Sequence, residues 1–187
     1  VEVSLTQDSI YKYPIYKKPS SAYLQKLSRH QIDSKLLLKN KNLEIGYAKN
    51  YWDVYSMQVQ GSGYVQFKDG TKKLCAYGGN NNKAYLSIGK YLTGAGYIRK
   101  EDVSMKSIRE WFDANPDSLD ILMKNASYVY FKETNKQPSG AANVPLVDFV
   151  SIACDFKYLP KGALLLGESP VLDVEGKVLK HEFRILM

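Results

Sequence analysis

The chain has 187 residues, 44% hydrophobic and 24% charged, ordinary values for a folded globular protein, so disorder is excluded as its dominant state. Lys and Arg number 26 against 19 Asp and Glu, and most of the resulting +7 sits in residues 1–50, which hold nine basic and four acidic side chains. That gradient favours an anionic partner such as nucleic acid, phospholipid headgroups or a carboxylate-bearing polymer, while apolar runs as short as Ala163–Leu166 exclude a membrane-spanning helix.

Tyr11–Pro19 alternates aromatic or apolar with basic residues between prolines and predicts an edge strand, because proline cannot donate to a ladder. Ser20 and Ser21 can cap a short helix through Leu27, and Ser28 can start another around Ile32, Leu36 and Leu37. Residues 43–67 alternate (Leu43, Ile45, Tyr47, then Val54, Tyr55, Met57, Val59, then Tyr64, Val65, Phe67), which predicts strands broken only at Gln60-Gly61-Ser62-Gly63. Asp69-Gly70 predicts a hairpin turn into a strand Leu74–Tyr77, followed by a loop Gly78–Asn82.

Helical spacing comes next. Ile88, Tyr91 and Leu92 share a face that Gly94 or Gly96 ends, and Ser104 caps a helix expected to bury Met105, Ile108, Trp111 and Phe112 before Asn115-Pro116. Leu119–Met123 adds a turn or two, and Ser127–Phe131 predicts a strand. The polar, turn-rich stretch 134–143 is the expected domain boundary, with strands beyond it at Val150–Cys154, Ala163–Leu166, Val171–Val174 and from Phe183. That last strand reaches Met187 without a turn or cap, so the chain is expected to be a piece of a longer one.

Cys75 and Cys154 lack metal-ligand spacing and either pair or stay as two buried thiols. His30 and His181 are isolated, which disfavours Ser-His-Asp or Cys-His chemistry. Two stretches have the composition carbohydrate recognition needs. Gln58-x-Gln60-Gly61-Ser62-Gly63 offers amides and a hydroxyl at a turn. Asn80-Asn81-Asn82 with Tyr85 and Ser87 sets amides beside an aromatic, and Tyr77, Tyr128 and Tyr130 are further candidate platforms among fifteen tyrosines. Each also has a plain structural reading as turn, cap or packing. Asp155, after the apolar Ser151–Cys154, can be catalytic or can cap its turn.

The order of Met57–Tyr64, Tyr77-Gly-Gly, Asn81, Tyr85–Lys90, Ser104–Arg109, Asn125–Phe131, Val144-Pro-Leu146, Ser151–Asp155 and Leu159–Gly162 closely resembles the membrane-bound lytic murein transglycosylase A (MltA) family. The resemblance implies a mainly β fold with short helices: a small inserted β-barrel lobe, residues 1–138, plus the first strands of an incomplete double-psi β-barrel lobe, 139–187. It implies a glycan groove between the lobes and cleavage of the MurNAc–GlcNAc β-1,4 bond, with closure of a 1,6-anhydro ring. One aspartate would act as acid and then base, unlike the carboxylate pair of hydrolases.

By motif position, Gln60, Ser62, Gly63, Tyr77, Asn81, Tyr85 and Ser87 become groove residues, and Asp155 a supporting aspartate. The family's segment D-x-G-G-A-I-K-G and the catalytic aspartate beyond it do not occur here, so the catalytic residue is expected outside this chain. Asn82 stands where glycine is common, which puts that loop's conformation in question, and Cys154 where Val or Ser is usual. No metal or cofactor is implied. The implied partner is the peptidoglycan glycan strand, with the parent protein lipid-anchored to the outer membrane, facing the periplasm, and able to meet other cell-wall enzymes. Two rivals are a non-catalytic peptidoglycan-binding module and a nucleic-acid binder. The second is disfavoured because the basic residues do not interleave with a stacking motif.

Overall fold

Strand β1 (Glu2–Ser4) lies mid-sheet, antiparallel to β3 (Glu44–Ala48) and parallel to β4 (Gly63–Phe67). Around it the order is β2 (Tyr13–Tyr16), β3, β1, β4, β5 (Lys72–Asn80), β6 (Val129–Thr134). Lys17, just past β2, pairs with Phe131 of β6, so the two edge strands meet and the sheet is nearly closed into a barrel. The structure, a computed structural model, describes residues 1–140 and 144–187. Two compact units divide at Asn135/Lys136, and positions 141–143 of the expected boundary stretch lie outside the described residues.

The hairpin at Asp69-Gly70 forms as the sequence predicts: β4 and β5 are antiparallel, the Asp69 carboxylate accepts from Thr71 N–H, and Gly70 sits at φ +84°. The expected loop at 78–82 is instead mostly strand. β5 continues to Asn80 through a bulge between Tyr77 and Gly79, which lets it follow β6. Gly78 is needed there because a Cβ would lie 2.8 Å from the Phe131 carbonyl carbon and 2.9 Å from its oxygen.

Residues 51–60, expected as strand, form helix α2 (Tyr51–Gln60), which follows α1 (Ala22–Gln25) in the chain. Asn50 caps α2 by accepting from Trp52 N–H, and Gly61 ends it in the left-handed conformation at φ +83°. The alternation misled because α2 is buried on two sides. Val54 and Met57 enter the barrel core with Val3, Val65 and Phe131, while Tyr51, Trp52 and Tyr55 pack on the helical layer. Only Asp53, Ser56, Val59 and Gln60 reach solvent, at spacings of three and four.

That layer is α3 (Ile88–Gly94), α4 (Met105–Ala114) and a 3-10 helix Pro116–Lys124. Ser104 and Ser107 form a reciprocal capping box at the start of α4. Ile108 and Phe112 are buried as expected, but Trp111 is half-buried and Met105 exposed. The expected second helix after Ser28 is a single π-helical turn, His30–Ser34, and α1 stops at Gln25 rather than Leu27.

The second unit holds an antiparallel hairpin, β7 (Leu165–Leu172) and β8 (Val178–Leu186), turned by Asp173, whose carboxylate accepts from Glu175 and Lys177 N–H. The predicted strand Val150–Cys154 reduces to two backbone bonds, through Val150 and Ile152, to Met187. Both cysteines are free. Cys75 is buried in the barrel core, and Cys154 is half-exposed rather than buried. Burial pushes the Cys75 thiol up to about 11.

Gly78→Ala tests the β5–β6 approach, because the atoms it meets are backbone and cannot swing aside. It is expected to cost about 1–3 kcal/mol of unfolding free energy in urea titrations. A wild-type midpoint would contradict the approach.

Candidate functional site

The best-defined polar structure in the first unit is interior. Arg29, 1% exposed, donates from Nε to the Asn125 carbonyl (3.1 Å) and from Nη2 to the Ser127 carbonyl (2.8 Å). Its Nη1 donates to the Tyr51 hydroxyl (3.3 Å) and lies 3.5 Å from Asp33 Oδ2, while Tyr51 donates to the same oxygen at 2.5 Å. The guanidinium also faces the Tyr55 and Tyr128 rings, at 4.6 and 5.1 Å from their centres. A buried cation therefore finds two carbonyls, a phenol, a carboxylate and two aromatic faces.

From this centre the order passes to the loop that bears the sequence candidates. Asn125 donates to the Tyr55 hydroxyl (3.0 Å), and its side-chain oxygen accepts from the amides of Leu86 (3.1 Å) and Ser127 (3.2 Å). Asn81 donates to the carbonyls of Leu27 and Ala126, both at 2.8 Å, and accepts from Tyr128 and Lys83 N–H. Asn82 then takes φ +54°, a left-handed turn that asparagine tolerates where glycine would be free. Residues 81–87 are thus pinned at Asn81 and at Leu86.

Tyr85 and Ser87 on this segment share a pocket of about 270 Å³ with Val59 of α2 and with Trp52 and Lys90. Tyr85 is 58% exposed, and Ser87 caps α3 by accepting from Lys90 N–H. Gln60, beside Val59, is exposed; Ser62 and Gly63 are half-buried. Gly63 pairs with Cys75, two residues before the 50%-exposed Tyr77 on β5. A Cβ on Gly63 would lie 2.6 Å from Met57 Cγ, so glycine there serves packing behind the loop.

Asn81 differs from these. It is 1% exposed, and both ends of its amide are spent on the protein, so it shapes the loop and offers nothing to a ligand. Tyr128 and Tyr130 are fully buried and cannot serve as platforms. Asp155 belongs to the second unit, where its carboxylate accepts from Lys157 N–H (2.9 Å) and its carbonyl from Tyr158 and Leu159 N–H, which is the turn-capping role. Arg29, Asp33 and Tyr51 were missed as functional residues, although the i, i+4 spacing of Arg29 and Asp33 was a signal, and Asn125 entered only as the first residue of a matched motif. Gln58, one turn inside α2, is buried with neither amide atom partnered among the described residues. No group of three or more His, Cys, Asp or Glu among the described residues could hold a metal ion.

The family model described as the MltA-specific insert domain matches residues 1–132. The chain belongs to the MltA family. It is 38% identical to membrane-bound lytic murein transglycosylase A of Vibrio cholerae and 36% identical to that of Escherichia coli, in each case over all of this chain and 52% of the relative. Among solved structures, E. coli MltA with bound chitohexaose superimposes with a TM-score of 0.86 at 34% identity, covering all of this chain and 56% of that one. A membrane-bound lytic murein transglycosylase from Agrobacterium tumefaciens gives 0.80 at 27% identity, covering all of this chain and 59% of that one. This MltA chain thus spans about half the length of the curated relatives it matches.

Burial holds the Asp33 carboxyl above its ordinary 3.8, against the lowering pull of Arg29 and Tyr51. The folded state therefore binds this proton more tightly than the unfolded chain does. The contribution of Asp33 to stability is complete below 3.8 and is withdrawn as pH rises through the folded value. Asp33→Asn removes that share. Urea unfolding over a pH series that starts below 3.8 should show wild type losing stability relative to Asp33→Asn as pH rises, whereas parallel profiles would refute the assignment.

Proposed function

We propose that this chain supplies the glycan-gripping lobe of a lytic murein transglycosylase. The supporting observation is that Tyr85 and Ser87 share one pocket with Val59, the residue before Gln60 on α2, and that the Tyr85 loop is fixed from behind by Asn81 and Asn125. An exposed ring can cover the apolar face of a pyranose, while the neighbouring amide and hydroxyl answer sugar hydroxyls. Preorganised in this way, the face spends little binding energy on ordering itself.

In the reading we favour, the parent enzyme cleaves the MurNAc–GlcNAc β-1,4 bond and closes the 1,6-anhydro ring, with the catalytic aspartate supplied by sequence outside this chain. Asp155, occupied in its own turn, supports that lobe rather than acting as the acid. The site is a cell-envelope one, and the chain's substrate is the peptidoglycan strand. Periplasmic placement, an outer-membrane lipid anchor and contact with other wall enzymes belong to the same proposal. The alternative, a peptidoglycan-binding module without turnover, uses the same face.

Titration with chitohexaose, followed by intrinsic fluorescence, tests the face. Tyr85→Ala is expected to weaken binding roughly three- to tenfold, the worth of one aromatic contact. Unchanged affinity would remove Tyr85 from the site. Incubation with purified sacculi separates the two readings of this chain: anhydro-muropeptides released by it would show that a carboxylate within residues 1–187 performs the cut.

A further inference from the structure

At the first residue of α2, Tyr51, about 14 Å along the helix from Gln60, lies a second pocket of about 330 Å³ that the glycan face does not use. Its wall is aromatic: the Tyr13 and Tyr51 rings both line it, with centres 5.5 Å apart. Its floor is the edge of the buried network, where Asp33 is already taken by Tyr51 and Arg29. Leu36 and Met123 complete an apolar interior, and the Met123 sulfur lies 4.0 Å from the Tyr51 hydroxyl.

Two charges at this pocket are unlike the others nearby. Lys49 and Asp113, which line the adjoining pocket, are paired with Glu2 (2.8 Å) and Arg109 (3.7 Å). Lys12, immediately before β2, and Asp120, on the Pro116–Lys124 helix, line the pocket, and neither side chain has an ion pair or hydrogen bond among the described residues. A cation and an anion on different elements, facing one cavity and not each other's partner, can accept the two ends of one ligand.

The rim carries strain as well. Leu36 has φ +53° and is 46% exposed, a left-handed backbone that a branched apolar residue rarely adopts. Backbone bonds on either side hold it there, from Leu37 to the Gln31 carbonyl (3.2 Å) and from Lys39 to that of Leu36 (3.0 Å). Such strain persists where surroundings enforce it, and it concentrates at ligand clamps.

From these observations we propose that the pocket of Lys12, Tyr13, Leu36, Tyr51, Asp120 and Met123 binds a zwitterionic amino-acid group with a small apolar side chain. The ligand's carboxylate meets the Lys12 ammonium, its ammonium meets the Asp120 carboxylate beside the tyrosine faces, and its side chain enters between Leu36 and Met123. The volume lies at the lower end of the range for small-ligand pockets, about 300–1,000 Å³. The proposal does not depend on the glycan reading. Its ligand could be a free amino acid or a whole dipeptide with both termini free, each of which carries one ammonium and one carboxylate.

The test is an NMR titration of the chain, with the Met123 methyl as reporter, using alanine, alanyl-alanine and the N-acetylated, C-amidated dipeptide as probes. Saturable shifts with alanyl-alanine but not with the blocked dipeptide are expected. Lys12→Gln and Asp120→Asn, both exposed and unpaired, should each weaken binding tenfold or more, the usual worth of a hydrogen bond to a charged group. Equal affinity for alanine would assign the site to free amino acids, and preference for the dipeptide to short peptides with both termini free. No saturation with either probe, equal binding of the blocked peptide, or wild-type affinity in both variants would overturn the proposal. Chitohexaose in the same samples reports on Tyr85 separately, so failure of one site is distinguishable from failure of the other.

Discussion

A buried guanidinium with no counterpart in water organises the first unit. Removing Arg29 from solvent is unfavourable unless every donor is met, and meeting them requires the 125–128 segment, α2 and the His30–Ser34 turn to converge on one point. Those elements are otherwise far apart in sequence, and no apolar cluster would specify their register so tightly. Burying the charge is a poor source of net stability. Its consequence is geometric: it fixes where Asn125 stands, and Asn125 fixes the Leu86 amide and with it the loop that presents Tyr85.

The division of labour along α2 follows from the same arrangement. One side closes the barrel core through Val54 and Met57, the other anchors the helical layer, and adjacent residues at its start, Tyr51 and Trp52, line different pockets. The second unit is built otherwise. Leu166, Phe183 and Ile185 lie exposed on the hairpin, and a two-stranded ribbon gains independent stability only against further surface.

Local rules made much of the fold readable. The Asp69-Gly70 turn, the Ser104 cap and the proline-bounded edge strand each depend on neighbours in sequence, and each was legible. α2 was not, because burial on two faces erases the contrast between apolar and polar sides on which periodicity depends. Its capping Asn50, its terminal Gly61 and the solvent positions 53, 56 and 60 held the signal instead. The candidate site divided in the same way. Tyr77 and Tyr85 are exposed and available, whereas Asn81 has the residue type of a sugar ligand but spends its amide on a partner 54 residues away, the Leu27 carbonyl, which no spacing rule could reveal. The Arg29 network was hidden because its partners at Asn125 and Ser127 lie 96 and 98 residues away.

Amide hydrogen exchange in Arg29→Met, a change that keeps an apolar side chain of similar length, tests the dependence most directly. Exchange at Leu86, Ser127 and Tyr128 should rise well above wild type while the β4–β5 ladder keeps its protection. Wild-type protection at Leu86 in that variant would mean the loop orders itself without the buried cation, and the account of how this face is preorganised would fail.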